Sequence, residues 1–259
     1  MKIKAKTPKK NQKQSGWKTA WTIFLLCVWV AVSVIAVEFL VGWTMYFLLG
    51  KEAFNRPVWT AIYSAVSYIL AMALIIIVPL LIRKRKIDKK ELRKDIGLID
   101  LPTWTDVGLA PIGFIVSIIL AAGLVAAFSL FPWFNAEEAQ NVGFNIFMNS
   151  GDRMIAFLTL VVVAPIAEEI IFRGWLYGKV RNKLNGKLPG KWGVAISILV
   201  VSFVFGLIHL QWNVGVNVFA LSVVLCVLRE VTGTIYAGIL THMIKNGVAF
   251  FLLYVIGMV

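Results

Sequence analysis

Residues 154–191 read MIAFLTLVVVAPIAEEIIFRGWLYGKVRNKLNGKLPGK. An uncharged apolar run leads into Glu168 and Glu169, continues past Arg173, and ends in a basic, turn-rich stretch up to Lys191. An apolar run of this length closed by lysines and arginines is the pattern of a membrane span with its cytoplasmic end. The same alternation recurs on both sides. Upstream, uncharged or nearly uncharged runs cover about 20–48, 57–82 and 107–131; downstream they cover Trp192 to His209, about Val214–Leu228, and a last stretch to Val259. The last is long for one span of about 20 residues and reads as one tilted helix or two shorter ones. The expectation is an all-α, polytopic transmembrane bundle of seven or eight spans, with its functional site inside the C-terminal half.

Composition excludes the other classes. The 259 residues are 59% hydrophobic and 15% charged, with mean hydropathy +0.82. Soluble domains run at roughly 45–50% apolar and about 25% charged, and a disordered chain carries far less apolar material. The net charge of +13 does not point to nucleic acid, because the cations gather at the ends of apolar runs, where topology selects for them. Membrane lipids are the expected surroundings. Cys27 and Cys226 both sit in apolar stretches and read as small buried residues, with no disulfide or metal pattern.

Residues 1–18 carry seven lysines and no acid. The apolar run that follows exceeds a signal-peptide h-region of about 7–15 residues, so it reads as a retained first span. Residues 83–95 hold eight basic and three acidic residues and read as a loop, as do 179–191. If spans two, three and four each cross once, the tail and both basic loops share the cytoplasmic side. The acidic-leaning 132–153 then lies outside, and the mildly amphipathic 96–106 fits the interface. The chain divides into a basic cytoplasmic tail, 1–18; the first three spans, 19–153; and a core, 154–259.

Ionisable residues inside spans cost about 2.5–3.5 kcal/mol each on insertion scales and mark function. Here they are Glu38, Glu168, Glu169, Arg173, His209, His242 and Lys245, with Arg229 and Glu230 near a span end. Both histidines of the chain are among them. Glu169 and Arg173 are i,i+4, acid first, and can pair on one helix face, which offsets their burial cost. Glu168 points about 100° away and is left free to act as a base, unless the pair merely caps a helix end. His209 lies four residues after Phe205, and Asn246 four after His242. A histidine and an amide projected together suit a developing oxyanion, or else clamp two helices. Glu38 has no evident role.

The joint pattern is Glu168-Glu169-x-x-x-Arg173, then Phe205-x-x-x-His209, then His242-x-x-x-Asn246, on three successive polar interruptions of apolar spans. It resembles the CPBP family, the CAAX-processing and bacteriocin-processing intramembrane proteases also called the Abi family, over about residues 155–250. The resemblance implies peptide-bond hydrolysis within the bilayer. By position, Glu168 and His209 activate water, His242 and Asn246 stabilise the oxyanion, and Glu169 with Arg173 supports the site. It implies a peptide or lipidated protein substrate, no nucleic acid, and an integral protein of a bacterial plasma membrane with a cytoplasmic N-terminus. Eukaryotic members remove a C-terminal tripeptide from prenylated proteins. No cofactor is favoured: a glutamate-dependent, metal-free site is expected, because no HExxH pair exists. Zinc on Glu168, His209 and His242 is the alternative. Two other classes compete. A non-enzymatic immunity or scaffold protein of the same fold predicts a degenerate motif; a proton-coupled transporter predicts ionisable residues spread through both halves.

One distance conflicts with this grouping. Glu168 and His242 lie about 11 residues from the cytoplasmic loops, roughly 16 Å, whereas His209 lies about 18 from Lys191, roughly 27 Å. The fifth helix is therefore expected to begin outside the hydrocarbon; a start flush at Trp192 would separate the residues.

Overall fold

The computed structural model describes residues 10–54, 56–82, 88–138 and 149–257. Within them the chain forms eight helices and no strand. These are α1 (Lys10–Phe54), α2 (Pro57–Ile82), α3 (Lys89–Ile96), α4 (Trp104–Phe128), α5 (Ser150–Leu184), α6 (Trp192–Leu207), α7 (Trp212–Thr232) and α8 (Tyr236–Ile256). Six of them, α1, α2, α4, α5, α7 and α8, are long and apolar enough to cross a membrane, and α6 is a shorter apolar helix. The protein is an integral membrane protein. The last apolar stretch is a single helix. The outward faces are apolar, with Phe47, Ile119 and Val231 at least 66% exposed, as lipid-facing side chains require.

Each helix end has a local cause. Asp88 caps α3 by accepting from the Lys90 and Glu91 amides, and Gly97 ends it in the left-handed region at φ 84°. Thr103 and Asp106 form a capping box at the start of α4. Pro57 begins α2 where its missing N–H costs nothing. Residues 88–95, expected as loop, are therefore largely helical, because they carry a cap at each end. Residues 1–9, 83–87 and 139–148 lie outside the described residues, and with them half of the basic tail and parts of the expected 83–95 loop and outer loop.

The bundle is assembled around α5 and α7, each half-buried over its span, while α1, α2, α4 and α8 are mostly exposed. α7 packs on α4 and α6; α8 packs on α4 and α5; α1 and α2 pair and lie against α5. The start of α8 is held by the α3–α4 segment: Ile235 donates its amide to the Gly97 carbonyl at 3.1 Å, Tyr236 its hydroxyl to the Asp100 carbonyl at 2.8 Å, and Thr234 its hydroxyl to Asp106 at 3.2 Å.

The depth conflict is resolved by two of these ends. α6 does begin at Trp192, against the expectation that such a start would break the grouping. However, α5 runs on through the basic stretch to Leu184. Glu168 thus lies 16 residues from that end, about 24 Å, against 17 residues, about 25 Å, for His209 from Trp192. α8 starts deeper. Ile96 lies against α5 at Gly174, where a Cβ would come within 2.6 Å of it. From that level Glu168 is six residues on and His242 seven beyond Ile235.

Candidate active site

Glu168 and Glu169 sit in a six-residue α-helical piece, Ala164–Glu169, between π-helical turns at Leu158–Val163 and Ile170–Leu176. Such π-turns re-aim side chains and are frequent at functional sites. The two acids are treated oppositely. Glu169 is fully buried, and its Oε1 accepts from Arg173 Nη1 at 2.8 Å. Glu168 retains 16% side-chain exposure and opens into a cavity of about 420 Å³ between α1, α2, α5 and α8.

His242 bridges them. Its Nδ1 lies 3.1 Å from Glu169 Oε1 and its Nε2 3.7 Å from Glu168 Oε2. A carboxylate only accepts, so Nδ1 carries a proton and donates it to Glu169. α8 comes this close to α5 because Gly238, one turn before His242, has no side chain: a Cβ there would lie 3.1 Å from Glu169 Oε2.

His209 is not on a helix. α6 ends at Leu207, and His209 lies in the turn before α7, followed by Leu210 at φ 55°. Left-handed backbone at a leucine is uncommon and recurs at functional sites. The turn is set by close helix approach: a Cβ on Gly206 would lie 2.8 Å from the Gly215 carbonyl. His209 Nδ1 bonds the Phe205 carbonyl at 2.8 Å, one of the acceptors left open at a helix C-terminus. A carbonyl cannot donate, so Nδ1 carries a proton, and in the neutral ring Nε2 keeps its lone pair. The buried Phe205 ring ties the motif together, with the Arg173 guanidinium 4.4 Å from its centroid and T-shaped contacts to His209 at 5.1 Å and His242 at 6.1 Å.

Asn246 also lines the cavity, but one of its amide N–H groups is used on the Leu160 carbonyl at 2.9 Å. The amide is thus partly an interhelical tie and has one N–H left. Lys245 and Glu38 line the same cavity. Arg229 and Glu230 do not. Glu230 accepts from Tyr177 at 2.7 Å and pairs with Arg181 at 3.1 Å, which ties α7 to the end of α5. Cys27 and Cys226 are free thiols, the second fully buried.

One contact escaped the sequence reading. Tyr68 of α2 donates its hydroxyl to Glu168 Oε1 at 2.7 Å. Ser64, Ser67, Tyr68 and Ala71 line the cavity at helical spacing, a small and polar stripe in an otherwise apolar span that could have been noticed. The site is thus completed by the N-terminal spans and is not confined to the C-terminal half.

Glu168, His209 and His242 all line this cavity. Among the described residues, no three His, Cys, Asp or Glu side chains are grouped closely enough to hold a metal ion.

Residues 150–248 match the family described as type II CAAX prenyl endopeptidase Rce1-like. This agrees with the resemblance read from the motifs. No curated protein and no solved structure matches the chain.

Proposed function

We propose that the protein hydrolyses a peptide bond of a membrane-associated or lipidated peptide or protein, using water activated by Glu168 and His209. The observation that carries this is the pairing of unlike carboxylates. Glu169 is neutralised by Arg173 and anchors His242, while its neighbour Glu168 faces a cavity inside the bundle. Glu168 accepts a proton from water, and the His209 Nε2 lone pair, left open by the Nδ1 bond in the neutral ring, accepts a hydrogen bond from the water's other O–H and orients it. The hydroxide adds to the carbonyl carbon. The oxyanion is met by His242, which in its doubly protonated form donates from Nε2 while Nδ1 donates to Glu169, and by the remaining Asn246 N–H. Collapse passes the proton from Glu168 to the leaving amine. Each group ends the cycle as it began.

This reading needs no metal. One observation favours a second reading, in which Glu168, His209 and His242 would hold zinc: both imidazoles are held through Nδ1 by a carbonyl or a carboxylate, as zinc-bound histidines are, although the three side chains would have to draw closer together than they lie here. The same anchoring serves either chemistry. Purified protein and a panel of lipidated and unlipidated peptides test both. Cleavage should survive chelator and vanish in Glu168→Gln with the thermal melt unchanged. Full activity of Glu168→Gln would remove Glu168 as the base. Loss in chelator, restored by zinc, would replace the metal-free scheme.

The setting proposed is a bacterial plasma membrane with the N-terminus cytoplasmic. The basic α5–α6 connection and the tail supply the support. A cysteine placed at the exposed Lys183 should resist a membrane-impermeant maleimide in intact cells; labelling there would invert the topology.

A further inference from the structure

A carboxylate that works as a base has two oxygens and needs only one. Glu168 has a flexible side chain on a helix bounded by π-turns, and an unheld carboxylate in an open cavity would sample several rotamers. The structure holds it at one oxygen. Oε1 takes the Tyr68 hydroxyl at 2.7 Å; Oε2 faces His242 Nε2 at 3.7 Å. The anchor comes from α2, on the cavity wall opposite α8, and is a rigid side chain in a packed helix pair. It lies 82 residues before the start of the segment matched by the family, residues 150–248.

We propose that Tyr68 is a positioning residue for Glu168: it fixes Oε1 so that Oε2 is presented to the attacking water. The proposal rests on Glu168 being the base. The bond suits both states of the reaction. With Glu168 ionised, Tyr68 donates to a charged oxygen, a strong bond. When Oε2 takes the proton from water, Oε1 becomes the carbonyl oxygen of the acid and still accepts from Tyr68. No proton leaves the tyrosine, and nothing is consumed. Tyr68 therefore acts on turnover and leaves substrate binding alone.

The test uses the full-length protein and a quenched-fluorescence peptide that the wild type cleaves. Tyr68→Phe keeps the ring and removes only the hydroxyl. Its kcat should fall roughly ten- to hundredfold, the range for losing a hydrogen bond to a charged group, with KM and the detergent melt unchanged. A purely packing role predicts no loss of kcat in Tyr68→Phe. Tyr68→Ala adds a second arm: phenol should restore part of its turnover and toluene, equal in size but without a hydroxyl, should not. Wild-type kcat in Tyr68→Phe, or equal rescue by toluene, overturns the proposal. The parallel Glu168→Gln variant separates the two failures. If it is inactive while Tyr68→Phe is normal, only the role of Tyr68 falls; if it is fully active, Glu168 is not the base and the role of Tyr68 falls with it.

Discussion

On the α5–α8 side of the cavity, the buried ion pair finds its partners within the wall itself: Arg173 on Glu169, Glu169 on His242, and Phe205 packed between Arg173 and both histidines. On the α1–α2 side a single short hydrogen bond, from Tyr68 to Glu168, reaches the acid, and Glu38 lines the same space from an exposed position. The ion-paired part of the first wall, Glu169, Arg173 and His242, is buried. The second faces lipid along most of its length and touches the chemistry at one atom. The contrast teaches that the buried Glu169–Arg173 pair carries folding and the single contact from the second wall bears on turnover: breaking the pair should unfold the protein, and losing the Tyr68 hydroxyl should slow it.

The largest expected effect tests the first half of that statement. Arg173→Ala strands the fully buried Glu169, at about 3–5 kcal/mol for a broken buried pair. A thermal melt in detergent should drop sharply, or the yield of folded protein should collapse. A normal melt would mean that the first wall is not held by this pair.

Asn246→Ala is next and straddles both halves. Removing one oxyanion donor costs about 10²–10³ in turnover, roughly 3–4 kcal/mol. Because the amide also holds the Leu160 carbonyl, stability should fall by about 1–3 kcal/mol as well. The two are separated by measuring activity per folded molecule. An unstable variant with full activity per folded molecule would make Asn246 a clamp only.

Gly238→Ala should cost about 1–3 kcal/mol of stability, because its Cβ would sit 3.1 Å from Glu169 Oε2 and push α8 away. Turnover should fall with it, since His242 travels on the same helix. Retained activity in a destabilised Gly238→Ala would mean that His242 tolerates the displacement.

Glu38→Gln should change least. Its side chain is exposed and faces the cavity across from the ion-paired wall, and exposed substitutions usually stay within about 0.5 kcal/mol. A loss of turnover beyond about threefold would assign the second wall a further role.

The Glu169–Arg173 pair was legible because i,i+4 spacing is a local rule that holds wherever the helix sits. The grouping of Glu168 with His209 and His242 was legible as a motif, but its geometry was not. Counting residues from the loops failed for two tertiary reasons: α5 extends through a lysine-rich stretch that reads as loop, and α8 starts one level deeper, on the Gly97 carbonyl. The four-residue spacing of Phe205 and His209 reads as one helix face, yet His209 lies past the helix end, where the Gly206–Gly215 contact makes the chain turn. Tyr68 escaped because a search for charges in apolar spans passes over a hydroxyl, and its partner is 100 residues away.

The anchoring of α8 also has a meaning in time. The acceptors that hold its start, Gly97, Asp100 and Asp106, are made long before it, and His242 and Asn246 arrive only on α8, after α5 to α7. A ribosome-bound chain that has completed α5 to α7 already contains Glu168 and His209 but has no donor for an oxyanion. On the proposed chemistry, the nascent protein is inert until α8 docks, and a product truncated before α8 and released into the membrane would be harmless to its neighbours.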